Sequence, residues 1–299
     1  MLLQQAYDVF IADRRINGCK PKTLAFYHDS AGAFLRFVAD SDPHLPVGTV
    51  VKFVTPFFIS LQERKLSDTT RHTYWRGVRT FMRFIHSEGY VTDEVRLPKI
   101  KCPVTMIKPL NNNEVKRVLL AFDANRFTDL RNRMIVHLLV DTGLRLSELV
   151  GIDLPNLNLE EGFIFVKGKG GKERWIPFGS ATKQILWGYI KKRADVAQVG
   201  EQRFLVTHRG QPLSIRGVQV MFRRLADRVK IEGVRLSPHT LRHSFALLYI
   251  EHGGDPFSLQ RILGHSTQAM TAKYINMARS NLKTQHNRFS PGDRLKSSV

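Results

Sequence analysis

The first 92 residues have the hydrophobic periodicity of a helical bundle. In KPKTLAFYHDSAGAFLRFVAD the apolar positions recur at helical spacing, namely Leu24, Tyr27, Ala31, Phe34, Leu35 and Val38. A further helix is predicted in SDTTRHTYWRGVRTFMRFIHSEGY, between an N-cap at Ser67 and a stop at Gly89. Its apolar stripe consists of Trp75, Val78, Met82 and Ile85. The pattern therefore predicts an all-helical N-terminal domain over residues 1–92.

Three arginines run beside that stripe on a neighbouring face of the helix: Arg76, Arg79 and Arg83. A helix built this way packs on other helices through one face and follows phosphates with the next. A solvated basic face explains the same pattern equally well, so both interpretations stay open.

The periodicity is interrupted at residues 93–110, DEVRLPKIKCPVTMIKPL, which contain prolines at positions 98, 103 and 109. Proline lacks the amide hydrogen that a helix needs, so we predict a linker between two domains.

A second domain is predicted over residues 111–290. It opens at LNNNEVKRVLLAF with an asparagine cap, and RNRMIVHLLVDTG reads as a buried helix that stops at Gly143.

Helical patterns return later in this domain, at residues 181–196, 214–231, 240–252 and 256–263. Between them, GFIFVKGKGGKERWIPF contains two β-prone runs around a glycine-rich turn, which predicts a hairpin. The predicted fold class is mainly α (α+β), a helical bundle followed by a mostly helical domain with a small antiparallel sheet. Residues 291–299 are expected to form a flexible tail.

The charge balance narrows the range of partners. The formal net charge is +20 and the isoelectric point is near 10.3, which favours a polyanion such as nucleic acid. Both predicted domains are basic, so a DNA duplex could be held between them. Cys19 and Cys102 are too few for a disulfide framework or a zinc site, which fits a reducing cytoplasm. No apolar run approaches the ~18 residues that a membrane span needs, and the N-terminus is too polar for a signal peptide.

The stretch SPHTLRHSFA, residues 237–246, places a cationic cluster where a helical pattern begins. Pro238 suits the first turn, and His239 and Arg242 share a face because they are three residues apart. The opposite side is apolar and carries Leu241, Phe245 and Leu248. Backbone N–H groups and the helix dipole add positive potential at this end, so we expect a binding site for a phosphate.

Two other segments also carry positively charged side chains that could bind an anion. Arg145 lies between two leucines just after Gly143, and a partly buried arginine needs an anion. Glu148 is one candidate for that anion and a phosphate is the other. The turn KGKGGK presents Lys169 and Lys172 among glycines, without the spacing of a nucleotide-binding loop, so lysine contacts to DNA are favoured.

One further segment, LGHSTQAMTAKYIN, could supply a nucleophile. His265 follows a predicted helix stop at Gly264, and Tyr274 comes nine residues later, directly after Lys273. A tyrosine in such a segment is usually a surface or core residue. Its phenol can also act as a covalent nucleophile where neighbouring cations favour the phenolate.

Taken in order, TGLRLSEL, GKGGKER, HTLRH, LGHS and the later tyrosine resemble the motifs of the tyrosine recombinase (phage integrase) family, in particular its Xer-type and transposon branches. The N-terminal domain resembles the family's core-binding domain only in length, pattern and position. The resemblance implies six catalytic residues, Arg145, Lys169, His239, Arg242, His265 and Tyr274. Further DNA contacts are expected from Arg76, Arg79, Arg83 and Lys172.

The resemblance also implies a reaction without metal, ATP or any other cofactor. The two catalytic arginines would clamp the phosphoryl oxygens while Tyr274 attacks phosphorus and forms a 3′-phosphotyrosyl bond. Lys169 would protonate the departing 5′ oxygen, His239 would help take the phenolic proton, and His265 would bind the phosphate. The family motif gives His243 no catalytic role, so we interpret it as structural support.

The implied partners are a double-stranded DNA recombination site and other copies of the chain. A tetramer on synapsed DNA would pass through a Holliday junction, and residues 275–289 could be exchanged between protomers. Accessory proteins stay open, as does the choice among integration, excision, transposition and resolution. Two alternatives are a type IB topoisomerase, which reseals the same strand, and a non-catalytic DNA-binding accessory factor. All six catalytic residues are present, which favours the recombinase.

Overall fold

The computed structural model describes residues 1–92, 95–100, 108–123, 126–168, 171–264, 268–277, 286–287 and 290–296. By its internal contacts the chain divides into an N-terminal unit, Met1–Thr105, and a C-terminal unit, Met106–Val299. Within the described ranges, no helix is both long and apolar enough to cross a lipid bilayer.

The N-terminal unit is helical in its described part. Its helices are α1 (Leu3–Ile16), α2 (Pro21–Ala39), a 3-10 helix (Val47–Phe53), α3 (Val54–Glu63) and α4 (Asp68–Ser87). Their apolar faces meet in an aromatic core that contains the buried rings of Phe10, Phe34, Phe57 and Phe81. Helix α4 begins as predicted, because Ser67 Oγ accepts a hydrogen bond from Thr70 N. Gly89 follows its end with a positive φ of 72°, as expected of a helix stop.

The C-terminal unit is also mostly helical. Its helices are α5 (Asn112–Leu120), α6 (Phe127–Thr142), α7 (Leu146–Val150), a 3-10 helix (Leu154–Asn156), α8 (Ser180–Ala194), α9 (Ile215–Val229), α10 (Pro238–Glu251), α11 (Pro256–Leu263), α12 (Gln268–Met277) and a short helix at Pro291–Lys296. Helix α6 packs against both α8 and α10, and its Ile135, Leu138 and Leu139 are buried. This central helix therefore anchors the elements that carry the site.

A small antiparallel sheet completes the C-terminal unit. Its strands are β1 (Leu157–Asn158), β2 (Phe163–Lys167) and β3 (Glu173–Pro177), in the order β1-β2-β3. Ile164 pairs with Ile176 and both are buried, whereas Trp175 on the other face is exposed. The predicted hairpin is confirmed. Strand β1 was not predicted, because two residues are too few to show an alternating pattern.

The predicted helices of the C-terminal unit agree with the structure to within a few residues. Asn111 caps α5 by accepting from Glu114 N, and Gly143 ends α6 in the left-handed region. The mainly helical fold class with a small sheet is confirmed. Within the predicted flexible tail, Pro291–Lys296 forms a short helix, and the flexibility of residues 291–299 stays a prediction. Ser290 Oγ accepts from Asp293 N and Pro291 suits a first helical position, which explains this turn.

Candidate active site

Helix α10 begins at the predicted cluster. Ser237 is its N-cap, with Oγ accepting from Thr240 N at 3.1 Å, and Pro238 is the first helical residue. His239 lies at the exposed rim, but Arg242 is only 6% exposed. The predicted division into a cationic front and an apolar back therefore needs correction, because the guanidinium of Arg242 is enclosed by protein.

Arg242 is held by the carbonyl ends of two other helices. Its Nη1 donates to Gly143 O at 2.6 Å, at the end of α6, and its Nη2 donates to Leu263 O at 2.8 Å, at the end of α11. Helix C-termini carry partial negative charge, so they stabilise a cation there. Burial lowers the pKa of Arg242 to about 10, with a further lowering from Arg145, and the group stays charged at neutral pH.

The sequence left two candidate anions for Arg145, namely Glu148 and a phosphate, and in the structure Arg145 binds Glu148. It is the N-cap of α7, and its Nη1 donates to Glu148 Oε1 at 2.8 Å. Its backbone N donates to Glu148 Oε2 at 2.9 Å, so the carboxylate also satisfies the amide at the start of α7. Its Nη2 donates to Gly264 O at 3.1 Å, and a third of the side chain stays exposed. Glu148 thus fixes the guanidinium without enclosing it.

A second arginine completes the coordination of Glu148. Arg174, on β3, donates from Nη1 to Oε1 at 3.0 Å and from Nη2 to Oε2 at 2.9 Å. Its Nε also donates to Ile262 O at 2.9 Å, in the last turn of α11. Burial raises the pKa of Glu148, but hydrogen bonds from Arg174 and Arg145 outweigh that effect and hold this pKa below its usual range.

Two glycines allow these backbone carbonyls to reach the arginines. Gly143 and Gly264 have φ of 60° and 62°, in the left-handed region where other residues are strained. A Cβ on Gly143 would overlap the Phe245 ring, and one on Gly264 would lie 3.1 Å from Arg174 Cζ. Both predicted helix stops are therefore also positions of close packing.

Tyr274, on α12, is brought to the same region. Its side chain is 5% exposed and packs in a small apolar cluster with Phe245, Leu259 and Leu263. Its hydroxyl oxygen lies 2.6 Å from His243 Nδ1. Burial raises the pKa of the Tyr274 phenol, and Arg242 opposes that rise.

The two histidines of α10 are also in contact with each other. His243 Nε2 and His239 Nε2 are 3.1 Å apart, with the rings nearly perpendicular. Burial lowers the pKa of His239, and the charge of Arg242 lowers it further. A chain of hydrogen-bonding atoms thus leads from the Tyr274 hydroxyl through His243 to the rim at His239.

The hairpin turn carries the predicted lysines. Lys172 is exposed, and its carbonyl accepts from Gly168 N at 2.7 Å. Lys169 and His265 lie outside the described residues.

The three predicted arginines of α4 belong to the N-terminal unit. Arg76 and Arg83 are exposed, whereas Arg79 is half-buried. Arg79 stacks over the Trp75 ring at 4.9 Å, and Arg76 lies over the Phe26 ring at 5.6 Å. The helix therefore packs through its apolar stripe and presents cations beside it, which fits both interpretations of this face.

Three residues at the site were not assigned to it from the sequence. Glu148 was only an alternative partner of Arg145, Arg174 was not singled out, and His243 was interpreted as structural support. The i, i+3 spacing of Arg145 and Glu148, which suits an ion pair, was a usable signal, as was the i, i+4 spacing of His239 and His243. Arg174 gave no local signal, because its partners are distant in sequence.

The described residues of the site include a phenolic hydroxyl, two imidazoles and two fixed guanidinium groups. The two bonds from Arg242 to carbonyls use two of its five N–H donors, so donors are left for an oxyanion. A tyrosine with such neighbours can attack phosphorus if a base takes its proton.

Residues 108–281 match the sequence profile of the phage integrase family. The chain is 36% identical to the tyrosine recombinase XerD of Staphylococcus aureus over 219 residues, which is 72% of this chain and 74% of the relative. It is 28% identical to the tyrosine recombinase XerC of Oceanobacillus iheyensis over 298 residues, 97% of each chain.

Among solved structures, the fold is similar to the integrase of transposon Tn1549 in complex with transposon right-end DNA. The TM-score is 0.76 at 21% identity, covering 95% of this chain and 99% of that one. At this identity the likeness concerns the fold alone.

Proposed function

The chain belongs to the phage integrase family and is a site-specific DNA recombinase, and from this premise we propose that Tyr274 cuts DNA by forming a covalent bond to a 3′ phosphate. One observation carries this assignment of the nucleophile. The Tyr274 hydroxyl lies 2.6 Å from His243, on the helix that also carries the buried Arg242. A nucleophile, a proton acceptor and a phosphate-binding cation thus come together in one site.

The positively charged side chains of the site are proposed to bind the phosphoryl group of the DNA. Arg145 and Arg242 bind the non-bridging oxygens, whose negative charge increases in the transition state. Glu148 and the helix-end carbonyls hold the two guanidinium groups in place before DNA arrives, so little reorganisation is needed during the reaction. Arg145 is the more exposed of the two, since a third of its side chain is accessible whereas Arg242 is buried.

The remaining roles concern protons and the second phosphate contact. His239 helps take the phenolic proton, and Lys169 protonates the 5′ oxygen as the phosphorus–oxygen bond breaks. His265 donates a hydrogen bond to the phosphate. The phosphotyrosyl bond conserves the energy of the broken linkage, so a 5′ hydroxyl of a partner strand can reseal the DNA without ATP.

The substrate is a double-stranded recombination site, and the reaction takes place in the cytoplasm. The net charge of +20 and the Tn1549 integrase complex with DNA both support this substrate. Residues 1–92 act as the core-binding domain through Arg76, Arg79 and Arg83, residues 93–110 as the linker and residues 111–290 as the catalytic domain. Lys172 contacts the duplex from the hairpin turn.

Two rounds of strand exchange on a protein tetramer pass through a Holliday junction. Residues 275–289 are proposed to dock on a neighbouring protomer, and most of that segment lies outside the described residues. Integration, excision, transposition and resolution can all use this chemistry, with or without accessory proteins.

The test uses a nicked suicide substrate that traps covalent protein–DNA adducts. Tyr274→Phe is expected to bind the substrate with wild-type affinity and to form no adduct. The matched control is Tyr249→Phe, the same chemical change at a half-buried tyrosine of α10, which should still form the adduct. An adduct with Tyr274→Phe would refute the assignment. Relaxation of supercoiled plasmid without any Holliday junction between two sites would indicate topoisomerase chemistry.

A further inference from the structure

We propose that His243 is a catalytic residue that accepts the phenolic proton of Tyr274 directly and passes a proton on to His239. The inference deepens the proposed function and rests on Tyr274 being the nucleophile. It places His243 between Tyr274 and His239 in the path of the proton. His243 has no role in the family motif, but it contacts the hydroxyl oxygen that reacts.

The contacts define the path of the proton. The Tyr274 hydroxyl is 2.6 Å from His243 Nδ1, and His243 Nε2 is 3.1 Å from His239 Nε2. If the hydroxyl donates to Nδ1, the proton of neutral His243 sits on Nε2 and is donated to His239 Nε2. His239 then carries its own proton on Nδ1. One pair of tautomers therefore gives each of the two contacts a donor and an acceptor.

Burial explains why a base is needed. Tyr274 is 5% exposed, so bulk water has little access to its hydroxyl. Burial raises the pKa of the phenol despite the opposing effect of Arg242, so the tyrosine stays protonated at neutral pH. Partial burial and Arg242 lower the pKa of His239, so that its ring is neutral and can receive a proton.

The step balances in atoms and charge. The O–H bond of Tyr274 breaks as its oxygen bonds phosphorus, and the proton moves to His243 Nδ1. The Nε2 proton of His243 moves to His239 Nε2, while the phosphorus–O5′ bond breaks and the 5′ oxygen takes a proton from Lys169. The histidine pair gains one proton and Lys169 loses one. The reverse movement restores both when a 5′ hydroxyl attacks the phosphotyrosyl bond.

Several titratable or charged groups of the described residues act on His243 or on its neighbours. Tyr274 faces it from α12, His239 lies one turn earlier on its own helix, and Arg242 is its neighbour in sequence. Arg145 and Glu148 act on this group of residues through Arg242, which both affect electrostatically. Because the arginines stay charged over the pH range of the measurement, the pH profile of cleavage reports on the protonation of His239 and His243.

The experiment measures single-turnover cleavage by the full-length protein on the nicked suicide substrate. In His243→Asn the amide oxygen can still accept a hydrogen bond from the Tyr274 hydroxyl but cannot take its proton. A base predicts cleavage slower by about 10²-fold or more in this variant, with DNA affinity unchanged. A purely structural role predicts a wild-type rate in His243→Asn and a defect only in His243→Ala.

Two further readouts separate the base from the acid. With a substrate that has sulfur at the 5′ bridging position, the leaving thiolate needs no proton. A variant that lacks the base should therefore cleave this sulfur substrate slowly as well. The wild-type cleavage rate should fall at acid pH, and the rate of the variant should not. Added imidazole should restore part of the activity of His243→Ala. The matched control is His252→Asn, an exposed histidine at the end of α10, which should cleave like the wild type.

Defined outcomes overturn the proposal. The proposal fails if His243→Asn cleaves at the wild-type rate with the wild-type pH profile, or if the sulfur substrate rescues its defect. Either result would assign the proton transfer elsewhere. If instead the wild-type protein itself forms no adduct, the proposed function fails, which is a different result.

Discussion

Arg145 and Arg242 donate to consecutive backbone carbonyls. Arg242 Nη2 binds Leu263 O at 2.8 Å, and Arg145 Nη2 binds Gly264 O at 3.1 Å. The spacing of the two guanidinium groups is therefore set by one peptide unit at the end of α11. A shift of that helix end would move both cations together relative to a bound phosphate.

Arg242→Lys is expected to slow strand cleavage by about 10²-fold or more, because a lysine cannot hold two carbonyls and an oxyanion with one planar fork. The measurement is the single-turnover cleavage rate, with DNA affinity determined in parallel. Arg193→Lys is the matched control, since Arg193 is another buried arginine bound to backbone carbonyls. Equal losses of activity in the two variants would show that Arg242 acts only through the fold.

Glu148→Gln should lower the free energy of unfolding of the C-terminal unit at neutral pH by about 1–3 kcal/mol, because a neutral amide binds Arg174 and Arg145 less well. The carboxyl has a lowered pKa in the folded protein, so its contribution is complete above the usual carboxyl pKa. That contribution is lost as the pH falls through the folded-state value. Urea unfolding across a pH series should show the gap between the variants closing in acid, and a constant gap would contradict this.

Gly143→Ala should destabilise the C-terminal unit through two effects. The left-handed backbone alone costs about 1–2 kcal/mol for alanine, and the new methyl group would also overlap the Phe245 ring. Gly200→Ala is the control, because Gly200 has φ of 80° and nothing lies within 4 Å of its added Cβ. Urea unfolding should give a clearly larger loss for Gly143→Ala, and equal losses would exclude the steric term.

Arg83→Ala should weaken DNA binding to all sequences alike and reduce the slope of log affinity against log salt by about one unit. Arg83 is exposed on the basic face of α4, and loss of its charge would remove one proposed phosphate contact. Arg64→Ala, at an exposed position just after α3, is the matched control and should leave the slope unchanged. Binding that does not depend on salt would refute phosphate tracking by this face.

Local signals in the sequence were enough for most elements. The cap at Ser67, the stop at Gly143 and the alternation on either side of the hairpin turn each act within a few residues. These elements can therefore be predicted from nearby residues alone, without knowledge of distant contacts. The resemblance to a family supplied the candidate residues, because the spacing of HTLRH alone does not distinguish a site from a surface helix.

The contacts that organise the site could not be read from the sequence, since they join residues far apart in the chain. Arg174 binds Ile262, 88 positions later, and Tyr274 contacts His243 across 31 positions. Periodicity also could not show that Arg242 is enclosed, because its burial depends on where α6 and α11 end. Tertiary packing thus decided which of two adjacent side chains, Arg242 or His243, faces the tyrosine hydroxyl.

The position of Arg174 has a consequence for how such a chain can diverge. An added Cβ on Gly168 would lie 3.3 Å from Arg174 Nη1, and one on Gly264 would lie 3.1 Å from Arg174 Cζ. One large side chain thus limits the residue allowed at two distant positions, each directly before a proposed catalytic residue. Replacing Arg174 by a smaller residue would therefore free space at position 264 first, although the left-handed backbone there still favours glycine. At position 168 the backbone oxygen of Lys172, 3.2 Å from an added Cβ, would keep glycine favoured even after Arg174 is lost.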